Sequence, residues 1–151
     1  MKKRLFKKNF LMVIRNSAGT NMFRNFYYKN LGDVLKNGDL SCAFFVSTIL
    51  LMFGFVNKVS FRVVDVIDEM EEKGWKEITR LRKGAVIIWN PVVQNGGNHL
   101  HIGFYMGKKI AISNRSSIGA PGEHPVFYSG LDKGKSKKVT IRAIYWHQKL
   151  G

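Results

Sequence analysis

The spacing of hydrophobic residues changes at Trp75, and this change limits the fold more than any other feature of the sequence. Before Trp75 the apolar residues recur at the spacing of amphipathic helices, whereas after it the period shifts toward two. Helical segments followed by strands, in a chain of 151 residues, are typical of one α+β domain. We therefore expect N-terminal helices packed on an antiparallel sheet of four to six strands.

Three helices are predicted in the first half of the chain. The first begins at a capping serine and spans residues 17–31, with apolar residues at helical spacing. The second spans residues 42–54, after turn chemistry at residues 36–39 and with Ser41 as its N-cap. It is apolar nearly all round, which predicts a buried position. The third spans residues 63–73 and directs its acidic side chains to solvent.

The second half of the chain predicts strands. Four are indicated by β-branched and aromatic residues between turn signals, at residues 85–89, 100–106, 110–114 and 139–146. A glycine-rich connection at residues 94–98 and a loop at residues 115–122 join them. An antiparallel arrangement follows from these short connections.

The formal net charge of +15 is large for this length and unevenly placed. Five of the ten acidic residues lie close together on the third predicted helix: Asp65, Asp68, Glu69, Glu71 and Glu72. The remaining surface, including lysines at residues 133–138, is therefore expected to attract polyanions such as nucleic acid, anionic lipid or acidic cell-wall polymer. Residues 1–15 read as a basic N-terminal arm, frayed or weakly helical, beside a single domain at residues 16–151.

Neither an export signal nor a membrane span is expected. The apolar stretch at residues 10–14 is shorter than the core of a signal peptide, and no small-residue cleavage site follows it. The longest apolar run, residues 43–56, is too short to cross a bilayer as a helix. We therefore expect a soluble, cytoplasmic protein.

The only cysteine, Cys42, stands at the start of the second predicted helix. A single cysteine forms no internal disulfide, and no cysteine and histidine spacing matches a zinc site, so no metal or organic cofactor is expected. Cys42 is then either core filler or a reactive group. The positive end of a helix dipole and a nearby imidazole both favour a thiolate, which makes Cys42 the candidate nucleophile of a hydrolase.

A cysteine hydrolase also needs a base and a group that orients the base. His101 opens the best predicted strand, and His99 lies on the same face by alternation, so both are candidate bases. His124 is predicted to lie in a loop that borders a cleft. On the next strand the adjacent Ser113 and Asn114 face opposite sides, and only one of them can meet the histidine. Asparagine is the better match, because its side-chain oxygen accepts a hydrogen bond from an imidazole N–H.

The order of these motifs resembles that of the NlpC-like cell-wall peptidases and their CHAP relatives, a papain-like group of cysteine peptidases. Their nucleophile lies in a pattern close to D-C-S-G-F-V, followed by G-D-V-V-x-F and H-V-G-I-Y-x-G; here the matches are Cys42 with residues 45–46, then residues 83–89 and 101–107. The resemblance implies a papain-like core and selects His101 over His99. With the asparagine favoured above as the orienting group, the predicted triad is Cys42, His101 and Asn114. It implies a peptide or isopeptide substrate, for example in cell-wall peptide.

The match to these peptidases is partial. Ser41 and Ala43 replace the aspartate and serine that flank the nucleophile, and Ala85 replaces the aspartate of the second motif. The third polar residue of the family, usually histidine, falls at Ser113 or Asn114. Two other hypotheses remain beside the hydrolase: a noncatalytic domain that binds nucleic acid or another polyanion, and a basic structural domain in which Cys42 is part of the core.

Overall fold

The computed structural model describes residues 4–94, 97–132 and 134–151. Three α-helices lie in these residues, α1 (Phe6–Ser17), α2 (Cys42–Met52) and α3 (Val63–Glu72), with a 3₁₀ turn at Gln148–Leu150. The strands are β1 (Tyr27–Tyr28), β2 (Gly32–Asp33), β3 (Lys76–Ile78), β4 (Val86–Gln94), β5 (Gly97–Gly107), β6 (Ile110–Arg115), β7 (Ala120–Pro125), β8 (Tyr128–Asp132), β9 (Lys135–Val139) and β10 (Ile141–Trp146). No helix in the described part of the chain is long and apolar enough to span a membrane.

The main sheet has six strands in the order β3-β10-β4-β5-β6-β7, and all its neighbouring strands are antiparallel. Two small hairpins, β1-β2 and β8-β9, form separate two-stranded sheets. The structure thus confirms an α+β fold with N-terminal helices and an antiparallel sheet of the predicted size. Helices α2 and α3 agree closely with the predicted second and third helices.

The two faces of the sheet are both buried, each against a different partner. Alternate residues such as Ile102 and Phe104 point to one face, where they join the helices in the larger core. The other face carries Ile87 and Trp89, which form a smaller core with Val126 and Val139 near the β8-β9 hairpin. Because the side-chain period of a strand is two, successive residues of β5 and β6 serve different cores.

Helix α1 corrects the prediction of a separate N-terminal arm at residues 1–15. Residues 1–3 lie outside the described residues, but from Phe6 the chain is helical, and Phe10 and Ile14 are fully buried. The Phe10 ring packs edge-on against Phe53 and Phe104 at centroid distances of 5.2 and 5.7 Å. Burying one phenylalanine side chain stabilises a fold by about 1.5–3 kcal/mol, so this helix is part of the domain.

The predicted helix at residues 17–31 is absent, because that segment follows local side-chain hydrogen bonds instead. The Asp33 carboxylate accepts from the backbone N–H groups of Phe26, Leu35 and Asn37 at 2.7–3.1 Å and from the Asn25 amide at 2.7 Å. Such bonds offer the backbone an alternative to the helix ladder. Although desolvation raises the pKa of Asp33, these four donors prevail and hold it at about 2.

Several strands differ from the prediction. The predicted strand at residues 139–146 is divided into the end of β9 and all of β10, and the predicted loop at residues 115–122 already contains the start of β7. No strand was predicted at β1, β2, β3 or β8, nor over most of β9. Of the glycine-rich connection at residues 94–98, residues 95–96 lie outside the described residues, as does residue 133 of the lysine cluster.

Candidate active site

Cys42 is the first residue of α2, and its sulfur lies against β5. The turn before the helix has positive φ at Lys36, Asn37 and Gly38, as its sequence predicts. The backbone N–H of Ile102 faces the Cys42 sulfur, together with N–H groups at the start of α2. The sulfur is therefore placed at the amide that joins His101 to Ile102.

The start of α2 carries no side-chain cap. Ser41 occupies the N-cap position as predicted, but its hydroxyl makes no capping hydrogen bond and is buried without a partner in the described structure. The first N–H groups of a helix have no partner within the helix. They remain available to the sulfur of Cys42 and to any negative charge that develops beside it.

Burial keeps both Cys42 and His101 neutral. Desolvation raises the pKa of the Cys42 thiol to about 11, although the N–H groups of Ile102, Ala43 and Cys42 itself oppose this change. Desolvation also lowers the pKa of His101 to about 4, with a smaller effect from His124. The expected lowering of the Cys42 pKa is therefore not found, because burial outweighs the helix dipole. At neutral pH Cys42 is therefore a thiol and His101 a neutral imidazole.

His101 belongs to a chain of hydrogen bonds across three strands. Its Nε2 lies 2.8 Å from Ser113 Oγ on β6, and Ser113 Oγ lies 2.6 Å from Nε2 of His124 on β7. The Nδ1 of His124 in turn lies 2.8 Å from the carbonyl oxygen of Pro125. Ser113 is buried, and both histidines are partly exposed. The chain of hydrogen bonds connects His101, which precedes the amide beside the Cys42 sulfur, to a second histidine.

Asn114, the predicted orienting residue, does not reach His101. Its Nδ2 donates instead to the carbonyl oxygen of Gly38 at 2.7 Å, on the opposite side of β6. Ser113 meets the histidine because Gly103 and Ser113 are paired across β5 and β6, and side chains alternate along each strand. Asn114 therefore holds the turn that precedes Cys42, and Ser113 replaces it as the neighbour of His101.

Aromatic rings enclose the two histidines. Trp89 packs at centroid distances of 5.4 Å from His101 and 5.5 Å from His124, and its Nε1 donates to the Val126 carbonyl at 3.0 Å. Tyr128 packs 5.0 Å from His124. Desolvation raises the pKa of Tyr128 to about 12, and the nearby Cys42 contributes in the same direction. Tyr128 therefore lies close to both His124 and Cys42, and it is neutral at ordinary pH.

The other two histidines lie elsewhere. His99 is exposed on β5. His147 hydrogen-bonds the Lys73 carbonyl through Nε2 at 2.9 Å and accepts from the Lys149 backbone through Nδ1, which secures the end of the chain. His124 was predicted to border a cleft from a loop, whereas it lies on β7. The sequence of residues 120–125 gives no strand signal, because it has no β-branched or aromatic residue and contains two prolines.

No group of three or more potential metal-ligating side chains occurs in the described residues. No protein-family model matches the chain, and no curated protein matches its sequence. Its function is therefore inferred from the chemistry of its side chains.

Proposed function

We propose that this protein is a cysteine amidohydrolase or peptidase with a papain-like, NlpC-type core. The observation that carries the proposal is the position of the Cys42 sulfur, at the start of a buried helix and beside the amide that follows His101. A thiol at a helix N-terminus can serve as a nucleophile when a neighbouring histidine takes its proton during the attack. The partial exposure of Cys42 and His101 gives a substrate access to both.

Cys42 and His101 are both neutral before the reaction, so the proton transfer between them accompanies the attack of the sulfur. As the Cys42 sulfur attacks the amide carbonyl carbon, the thiol proton passes to His101, which becomes an imidazolium. The tetrahedral intermediate then collapses, the carbon–nitrogen bond breaks, and His101 protonates the leaving amine. A water molecule, deprotonated by His101, attacks the resulting thioester and releases the carboxylic acid, returning the proton to Cys42.

The start of α2 supplies the positive environment that this reaction needs. Negative charge develops on the carbonyl oxygen beside Cys42, where the Cys42 backbone N–H has no helical partner. The absence of a Ser41 cap leaves that end of the helix uncovered by a side-chain oxygen. Loss of one such donor typically costs about 10²–10³ in rate.

The proposed substrate is a peptide or isopeptide amide, with cell-wall peptide as the first candidate. This choice is based on the resemblance of the Cys42 and His101 motifs to those of NlpC-like peptidases. The basic surface suits a substrate attached to an anionic polymer.

Hydrolysis of peptide amides and cell-wall peptides by the purified chain tests the proposal. Replacement Cys42→Ala should abolish hydrolysis, and His101→Gln should reduce it by about 10²-fold or more. His99→Gln is the matched control, because His99 is exposed on the same strand. Activity that survives in Cys42→Ala, or that falls equally in His99→Gln, contradicts the proposal.

A second candidate function is polyanion binding, which the exposed face of α1 favours. Leu5, Lys8, Met12 and Arg15 form an exposed stripe along this helix. A groove of about 630 Å³ lies beside it and is lined by Lys7, Lys8, Leu11, Met12, Arg15 and Lys83. In the described part of the chain no cation of this groove is paired with a carboxylate, since the ion pairs found there join Lys58 to Glu69 and Arg62 to Asp65.

Retention on heparin, RNA and anionic vesicles at increasing salt tests this second function. Lys8→Glu with Arg15→Glu should release the protein at lower salt than Lys29→Glu with Lys76→Glu, which makes the same change of net charge elsewhere. Equal effects of the two double variants would mean that net charge alone, and not the α1 groove, determines binding. Retention independent of salt would contradict electrostatic binding altogether.

A further inference from the structure

We infer that His124 and the Pro125 carbonyl fix the tautomer of His101 through Ser113, and so keep the lone pair of His101 on Nδ1. Both His124 and Ser113 are positioning residues in this scheme, because they act on the base and not on the substrate. The consequence for catalysis rests on the proposed function; the tautomers themselves follow from the hydrogen bonds and from the neutrality of both imidazoles.

The Pro125 carbonyl fixes the direction of donation at one end of the chain of hydrogen bonds. A carbonyl oxygen only accepts, so the 2.8 Å contact between His124 Nδ1 and the Pro125 oxygen requires a proton on Nδ1. In a neutral imidazole the other nitrogen then carries the lone pair. His124 Nε2 is therefore an acceptor, directed at Ser113.

Ser113 passes the same direction of hydrogen-bond donation on to His101. A hydroxyl has one proton, and the 2.6 Å contact with an accepting Nε2 of His124 uses it. Toward His101, 2.8 Å away on its other side, Ser113 Oγ can then only accept. His101 must hold its proton on Nε2, which leaves Nδ1 as its basic nitrogen.

The surroundings keep the chain neutral, as the assignment requires. Burial lowers the pKa of both histidines, and each has a positively charged or chargeable neighbour: Arg115 beside His124, and His124 beside His101. Tyr128, which packs on His124, and Cys42 are the remaining titratable groups here, and both are uncharged at neutral pH. The hydrogen bond to the Pro125 carbonyl acts the other way and raises the pKa of His124, but burial is the larger effect, so the resting site favours neutral imidazoles.

The same order of donors and acceptors also suits the step in which His101 becomes an imidazolium. When His101 accepts the thiol proton on Nδ1, its Nε2–H still donates to Ser113, so no hydroxyl has to turn. Removal of the His124 acceptor would instead free the Ser113 proton. The hydroxyl could then donate to His101 Nε2 and move the ring proton to Nδ1, which removes the lone pair that serves Cys42.

Ring-nitrogen NMR of the full chain tests the tautomers directly. The neutral protein should show His101 protonated on Nε2 and His124 protonated on Nδ1. The opposite tautomer at either histidine overturns the inference, whatever the protein's activity. This measurement uses the native sequence and requires no variant to fold.

Variants test whether His124 acts on His101 through Ser113. The measured quantity is the rate at which iodoacetamide alkylates Cys42 near neutral pH. His124→Leu should slow alkylation by about tenfold and switch the His101 tautomer, while His124→Gln should retain most of the rate, because its amide oxygen can accept from Ser113. In a Ser113→Ala background the further change His124→Leu should have little effect, since the connecting hydroxyl is gone.

Each outcome of the alkylation experiment decides one question. If His124→Leu is equally harmful with and without Ser113, the histidine acts by packing alone and the inference fails. If alkylation in the native protein does not depend on His101, the proposed hydrolase function fails, but the NMR tautomers still decide the inference.

Discussion

Gly103 faces Ser113 across β5 and β6 so closely that a Cβ on Gly103 would lie 2.7 Å from the Ser113 Cβ. The same Cβ would lie 2.8 Å from the Ile112 carbonyl oxygen and 3.0 Å from the Trp89 ring. The φ of Gly103 is not positive, so the need for glycine here is one of space. The absence of a side chain lets Ser113 and Trp89 both approach His101.

Gly103→Ala should therefore separate the strands at the site. We expect a loss of about 1–3 kcal/mol in the free energy of unfolding, which is typical of overpacking, together with slower alkylation of Cys42. Denaturant unfolding and the alkylation rate measure the two effects. Gly151→Ala, whose Cβ meets only the Gln148 carbonyl oxygen at 3.4 Å, should change neither. An unchanged stability of Gly103→Ala would show that the strands accommodate a methyl group.

The reactivity of Cys42 should continue to rise far above neutral pH. Because burial raises the pKa of the thiol to about 11, the thiolate fraction is small at neutral pH and grows through the alkaline range. Near neutral pH the reaction should depend on His101 as proton acceptor, so His101→Gln should slow it there and have little effect at the alkaline end. A plateau of the alkylation rate already at neutral pH would indicate a standing thiolate and contradict the neutral pair.

The same raised pKa makes stability depend on pH. A thiol that holds its proton more tightly when folded stabilises the native state below its ordinary pKa, and this contribution decreases as pH rises toward about 11. Cys42→Ser should reduce the alkaline loss of stability, as measured by thermal unfolding at several pH values. An identical alkaline slope in the two proteins would argue against the shift.

Ser113→Ala and Asn114→Ala should have different effects. Loss of the Ser113 hydroxyl removes the partner of His101 and should slow Cys42 alkylation with a modest effect on stability. Loss of the Asn114 amide leaves the buried Gly38 carbonyl without its donor and should cost about 1–3 kcal/mol of stability, with a smaller effect on reactivity. Equilibrium unfolding and alkylation rates separate the two, and the reverse pattern would assign the orienting role to Asn114.

Asp33 should stabilise the segment before α2 in a pH-dependent way. Its carboxylate has a lowered pKa of about 2, so its contribution is present above the ordinary carboxyl pKa and is lost as pH falls toward about 2. Asp33→Ala should lower the melting temperature at neutral pH and weaken its dependence on acid. Asp39→Ala, in the same loop, is the control, and an equal effect of both replacements would contradict a specific role for Asp33.

Much of the framework could be predicted from local pattern. The apolar run at residues 43–52 and the acidic face of residues 63–72 predict α2 and α3 because helical periodicity is contained within a few turns. The strands at β4, β5 and β6 follow from β-branched residues in the same way. The helix predicted at residues 17–31 does not form, since the Asp33 carboxylate accepts from the Phe26 N–H and the Asn25 side chain of that segment.

By itself the sequence determined that helices precede strands, that the single thiol starts a helix and that the histidine lies on a strand, because these depend on neighbours along the chain. Only the tertiary structure decided which side chains meet. The pairing of β5 with β6 selects Ser113 over Asn114, and the pairing of β6 with β7 brings His124 to the same serine. The neutrality of Cys42 and His101 is also a tertiary property, because it arises from burial among residues distant in sequence.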